Sequence, residues 1–480
     1  MKKTAWYGTD AYLTVFLSLI LSIMISLCLV LVLGARENTR RMEIECITDI
    51  GMNNILAEYH RELLEQYDLF FIDTSYGTPY ASYEKTAEHL KEYIECNLGD
   101  EEIFLSFLYR NPVKLQADKV EIMEVSAASD DGGAVLRRQA VDVMYQRIGI
   151  SYLQQVMNWV EVVKEYDMNT RNIMEEQKKA SAALEEWSSN APEIDGATEK
   201  ITLPGNKVVS FWETEMLNLV TLNDGEISVK TVDVNAYLSA RQRLLGTGMN
   251  SAIDFADGFW EQLIFHEYIM AYTGHYGLEK ENGTLAYQTE YILAGKGSDM
   301  ENLKTVVYNL LAIRAVANVI YLVSDKEKMT MAEAMATAIA SLLTIPQAAP
   351  LFQAVIVLTW AMAESIFDVI LLLAGKRVPL LKGGGEWQCT LEEMVDFTGN
   401  TDSEKEGSGL CYEDYLRIML CFQDKETTTY RLMDIMEMDI RQTSGNRCFR
   451  MDGCIDSLKA AIQYSAKDGK TYSIVRSYGY

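Results

Sequence analysis

Tyr12-Leu-Thr-Val-Phe-Leu-Ser-Leu-Ile-Leu-Ser-Ile-Met-Ile-Ser-Leu-Cys-Leu-Val-Leu-Val-Leu33 decides how this chain is organised. It lies within 25 uncharged residues between Asp10 and Arg36. As a helix rising about 1.5 Å per residue, such a run crosses a hydrocarbon layer of about 30 Å with some tilt. A cleaved secretory signal is the competing reading, but its apolar region is usually about 7–15 residues long and ends at a small-x-small site. Here Leu33-Gly-Ala35 runs straight into Arg36 and Glu37, so residues 1–36 are expected to form a retained membrane anchor. Lys2 and Lys3 precede the span while Arg36, Arg40 and Arg41 follow it, so basic residues do not favour a cytoplasmic N-terminus. Charge alone leaves the topology open.

Working outward, residues 37–78 read as an amphipathic stalk. Met52, Leu56, Tyr59, Leu63 and Tyr67 recur on one helical face, with no proline and only Gly51 to interrupt them. The expectation is a continuous rod from Tyr12 to Tyr67, on the order of 80 Å long. A helix that bends down onto the globular body is the alternative. Asp73-Thr-Ser-Tyr-Gly-Thr-Pro79 supplies the turn that ends it.

Beyond the stalk the composition points to a mainly α fold with minor β. Only seven prolines occur in 480 residues, and Leu, Ala, Glu and Met are abundant. Residues 79–200 form an α/β segment, with a strand at Lys119–Val125, a loop at Ser129–Gly133 and a long helical stretch from Ile150 to Trp187. The charged half of that stretch, Arg171–Glu186, suggests a projecting arm or hairpin, and Ser188–Lys200 is the best linker. Residues 201–385 form a helical core domain, opened by a possible hairpin at Thr221–Val229. Residues 386–480 are a Cys-containing C-terminal region with a short extended piece at Tyr472–Val475. The chain carries a net charge of −26, and outside the anchor 40 basic face 68 acidic residues, a balance that repels phosphate backbones and argues against nucleic acid.

Candidate chemistry is sparse. His266-Glu267 begins like a zinc-protease motif, but Met270 stands where the second histidine should be. Gly246-Thr-Gly-Met-Asn250 lacks the Gly-Lys-Ser/Thr of a phosphate loop and reads as a plain turn. There is no Gly-x-Ser-x-Gly elbow and no Cys-x-x-Cys pair, and no metal or cofactor is expected. Cys448 and Cys454 could close a short disulfide loop if the body is extracellular; buried free thiols are the other reading. Leu351–Gly375 is apolar enough to compete for the membrane, but Glu364 and Asp368 near its middle would each cost about 2.5–3.5 kcal/mol there. A buried core helix is the expectation, with Arg314, alone in the apolar run Leu310–Asn318, as the partner of the two acids. For the Glu364/Asp368 pair an internal ion pair with Arg314 or Lys376 stands against acid–base catalysis.

Several stretches resemble a family of clostridial membrane-anchored proteins associated with tight-adherence (Tad-type) pilus gene clusters. They are Tyr12–Leu21, Asp49-Ile-Gly-Met-Asn-Asn54, Glu58–Phe70, Glu290–Lys296 with Glu301–Lys304, and Trp360-Ala-Met-Ala-Glu-Ser365 with Gly375–Leu380. The resemblance implies a pseudopilin-like or pilus-assembly accessory protein and brings no activity with it. One departure stands out: prepilins carry Glu at the fifth mature position, and a cut after Gly8 would place Leu13 there.

The expected function is therefore a non-enzymatic, single-pass membrane component with an extracellular body. Its partners would be the bilayer, pilus or secretion proteins and, through the N-terminal helix, copies of itself. A membrane-tethered hydrolase of cell-envelope polymers is the alternative.

Overall fold

Helix α1 (Thr9–Leu56) is 48 residues long, about 70 Å at the α-helical rise. It dominates the computed structural model, which describes residues 9–98, 115–189, 204–215, 227–280, 283–398 and 408–480. Every residue from Tyr12 to Ala35 is exposed, whereas Arg40, Ile44, Ile47, Thr48, Gly51, Met52 and Ile55 are buried. One continuous helix thus has a bare apolar half and a packed half.

The packed half lies on an antiparallel sheet. Strand β1 (Ile72–Asp73), β2 (Leu115–Ala127) and β4 (Thr471–Gly479) all pair with β3 (Cys454–Ala466), which is the centre of the sheet. Helix α3 (Tyr83–Leu98) lies beside α1, and Leu90 and Ile94 join Ile44, Ile47, Met52 and Ile55 against Leu458, Ala460, Ile462, Tyr464 and Ala466. The alternation along β3 sends its even-numbered apolar residues to this core, as period-two geometry requires. A Cβ on Gly51 would sit 2.9 Å from Ile94 Cγ1 and 3.2 Å from Leu90 Cδ1, so the glycine permits the close approach of α1 and α3.

The rod is shorter than the sequence suggests. It ends at Leu56, because His60 takes an extended conformation (φ −71°, ψ 112°) and its Nδ1 accepts the Leu63 N–H, capping a separate helix α2 (Arg61–Tyr67). The His60 N–H donates to Phe71 O at 2.8 Å, which turns the chain back toward β1. The stalk is thus docked on the body, and residues 57–78 are not part of it.

The remaining helices share a second, larger core. Helices α4 (Asp130–Tyr145), α5 (Ile150–Glu165) and α6 (Ile173–Ser189) pack with Phe259–Tyr272, Asp299–Ser324, Ala349–Leu373, Tyr412–Leu420 and Lys425–Ile440. Asp131, Gly132 and Gly133 have positive φ, which is the loop read at Ser129–Gly133. Helix α6 does not project: Ile173, Met174, Gln177 and Leu184 are buried and the helix packs on Ala349–Leu373. Its charged residues are the solvated face of a helix with a single apolar stripe. Most of the linker read at Ser188–Lys200 and the Thr221–Glu226 part of the candidate hairpin lie outside the described residues.

Among the described residues three helices are long and apolar enough to cross a membrane: Tyr12–Leu56, Asp299–Ser324 and Pro346–Leu373. The apolar window of the first is wholly exposed, that of the second mostly buried, and that of the third wholly buried in the body.

Candidate functional site

The most concentrated chemistry in the helical body is a sealed cluster of two acids and two cations. The Asp299–Ser324 and Ala349–Leu373 helices pack along each other, facing Arg314 toward Asp368. Both are fully buried and lie 2.9 Å apart. Arg314 Nη1 also donates to Pro379 O at 2.7 Å, Leu380 O at 2.9 Å and Tyr415 Oη at 2.9 Å. Asn318 Nδ2 donates to Asp368 Oδ2 at 2.9 Å. Glu364, one turn before Asp368, does not meet Arg314. It pairs with Lys382, which also reaches Asp368 at 2.6 Å, and accepts the N–H groups of Gln388 at 3.0 Å and Cys389 at 2.6 Å.

Arg314 and Glu364 thus staple the returning segment Val378–Cys389 onto the two apolar helices from either end. Each acid faces a cation and each site is closed to solvent, so the carboxylates have no face free for a substrate. Lys382 escaped the sequence reading because Lys382-Gly-Gly-Gly-Glu386 looks like a solvated loop; the only hint was that two acids in an apolar helix need two cations.

The histidines are dispersed. His60 is a helix cap, His89 Nδ1 lies 3.0 Å from Glu58 Oε1, and His275 Nδ1 lies 2.9 Å from Tyr276 O. His266 Nδ1 lies 3.5 Å from Cys421 Sγ, the arrangement of a thiol–imidazole nucleophile. Burial defeats it: the His266 imidazolium is pushed down to about 4 and the Cys421 thiol up to about 12. Neither group reaches the charged form that such chemistry needs. Glu267 is held by Arg417 at 2.9 Å. Among the described residues no group of three or more His, Cys, Asp or Glu could hold a metal ion.

A second carboxylate cluster was missed by sequence reading. Glu437 and Asp452 share Arg241, and Arg441 also pairs with Glu437 at 2.8 Å. Burial pushes Glu437 up to about 7 against the pull of both guanidiniums. Cys448 and Cys454, for which the sequence allows either a short disulfide loop or free thiols, are both free thiols. Cys454 is buried at the start of β3, with Sγ 3.5 Å from Arg450 O, so strand pairing and burial, not a disulfide, hold this segment.

An open cleft of about 510 Å³ lies where α1 gives way to α2, lined among others by Glu58, His60, Glu62, Asp73, Tyr76 and His89. Glu58 is engaged on several sides, by His89, by Tyr93 Oη at 2.6 Å and by Tyr76 Oη at 3.2 Å. The hydrogen bond to Glu58 is the main reason the Tyr93 phenol is pushed up to about 12.

A model described as a family of unknown function (DUF5702) matches residues 195–466, more than half of the chain. The chain belongs to that family. No curated protein matches it, and no solved structure does. The DUF5702 match takes in the sealed cluster, the Arg241/Glu437/Asp452 cluster and β3, and begins well after α1. Membership of DUF5702 brings no assigned chemistry to these residues.

Proposed function

We propose that the protein is a non-enzymatic, single-pass membrane component with its acidic body outside the cell, pseudopilin-like or accessory to the assembly of a Tad-type pilus or related secretion apparatus. One observation carries this reading: α1 is a single helix, bare and apolar from Tyr12 to Leu33 and packed onto an antiparallel sheet from Arg40 onward. A bare apolar surface of that size needs lipid or a matching helix to cover it. An apolar helix continued by a stalk is also how pilins pack, and the sequence resemblance includes this segment. Burial of the other two apolar helices in the body favours a single span. The hydrolase alternative needs carboxylates open to substrate, whereas Glu364 and Asp368 are fully buried and paired.

Two measurements test the proposal. In a Cys46→Ser background, a membrane-impermeant maleimide applied to intact cells should modify exposed Cys96 of α3, and adding Cys96→Ser should lose that signal. Protection of Cys96 until the cells are lysed overturns the outward body. Cross-linking in native membranes should then capture pilus or secretion components; capture of none of them refutes the assembly role.

A further inference from the structure

The β3–β4 turn is the part of the sheet that reaches back to the span. Arg40, almost wholly buried, donates to Asp468 at 2.6 Å. Lys470 donates to Glu37 at 3.0 Å, and Tyr472 Oη donates to the same carboxylate at 3.1 Å. Glu37 stands four residues beyond Leu33, the last large side chain of the bare apolar run. Four residues of helix rise about 6 Å. The polar layer of each leaflet is about 5–7 Å deep. The turn Lys467-Asp468-Gly469-Lys470 is therefore held at the depth of the lipid headgroups. Its charge runs against that of the rest of the chain: among the described residues Arg36, Arg40, Arg41, Lys467 and Lys470 gather there beside Glu37, Asp468 and Asp118, the last bonded to Ser465, within a total of −26.

We propose that this turn is a second membrane contact, binding the phosphates of anionic lipids through Lys467, Lys470, Arg36 and Arg41. The inference rests on α1 crossing the bilayer. All four side chains are exposed, and long basic side chains can lie along an apolar boundary while placing their charge among headgroups. A body this acidic is repelled by an anionic surface, and a basic collar at the point of closest approach offsets that repulsion locally. Two separated points of contact, helix and turn, would also fix the rotation of α1 about its own axis.

A photo-cross-linking residue placed singly at Leu21, Lys467 or Tyr145 in the full chain tests this in nanodiscs of equal phosphatidylcholine and phosphatidylglycerol. Lipid adducts are expected at 21 and 467 and not at 145, which is exposed on the helical body. At 467 phosphatidylglycerol should exceed phosphatidylcholine by about fivefold, the effect of roughly one basic residue near a charged surface. Combining Arg41→Glu with Lys470→Glu, both well exposed, should abolish that preference and leave the adduct at 21. Adducts at 21 with none at 467, or with no lipid preference at 467, overturn the second contact and leave the anchor standing. No adduct at 21 overturns the anchor and this contact with it. Capture of a second copy of the chain at 467, in place of lipid, would assign the turn to a protein interface and refute the proposal.

Discussion

Replacing Arg314 by Met should be among the most damaging single changes in the body. The guanidinium is fully buried and serves Asp368, the carbonyls of Pro379 and Leu380, and the hydroxyl of Tyr415. Met fills a similar volume but returns none of these bonds. The cluster then holds two carboxylates against Lys382 alone, so one buried negative charge is left uncompensated. Breaking one side of a buried pair costs about 3–5 kcal/mol. The orphaned carbonyls push the value toward the top of that range, since a buried group that loses its partner costs about 1–3 kcal/mol. The geometry also says which second change helps. Asp368→Asn removes the charge that Arg314 neutralised, so Arg314→Met/Asp368→Asn should recover part of the loss. Glu364→Gln should recover less, because Glu364 belongs to Lys382 and the 388–389 backbone. Midpoints from near-UV circular dichroism of the full chain in detergent, across the double-mutant cycles, give the couplings. Strict additivity of Arg314 and Asp368, with losses below about 1 kcal/mol, would refute this account of the cluster.

Gly51→Ala should destabilise the stalk by about 1–2 kcal/mol, because the overpacking against Ile94 and Leu90 outweighs the helix-propensity gain of about 0.5–1 kcal/mol; a raised melting temperature would contradict the close contact. His266 carries a folded-state value of about 4, below its unfolded value of about 6.5. The unfolded chain therefore binds the extra proton between those values, and stability is lost as pH falls from about 6.5 to 4, by up to about 3 kcal/mol. Denaturation of the wild type and His266→Gln across that window should show a shallower slope in the variant, and equal slopes would place His266 in contact with water. All eight cysteines should titrate as thiols after unfolding without reductant, and a reducing agent should leave the melting temperature unchanged; two missing thiols would restore a disulfide.

What was legible in the sequence followed from features that allow one physical solution. A charge-free run of 25 residues announces a membrane-length helix whatever follows it. A lone Arg314 in one apolar run and two acids in another have to be compensated, and the packing of the two helices brings Arg314 to Asp368. The strand at Lys119–Val125 appears within β2, and Tyr472–Val475 within β4. The central strand was not legible, because Cys454-Ile-Asp-Ser-Leu-Lys-Ala-Ala-Ile-Gln-Tyr-Ser-Ala466 is poor in β-branched residues. It is a strand because it has partners on both edges, which is a property of the fold and not of the segment. The break after Leu56 has no glycine or proline to mark it; a histidine ring does the capping.

The long separation between α1 and its docking surface puts the stalk on a clock. Thr48 meets Tyr464 across 416 residues of chain, and Arg40 meets Asp468 across 428. Synthesis at about 5–20 residues per second puts about 20–80 s between the emergence of the helix and that of the strand it rests on. During that interval, among the described residues, Ile44, Ile47, Met52 and Ile55 have α3 and the unfinished sheet edge of β1 and β2 beside them, without the central strand of their core. A ribosome that stops early, or a protease that trims the β3–β4 hairpin, leaves α1 with an unsheltered apolar flank, the kind of surface that chaperones and quality-control proteases bind. Docking of the stalk therefore reports that translation has passed through residue 466.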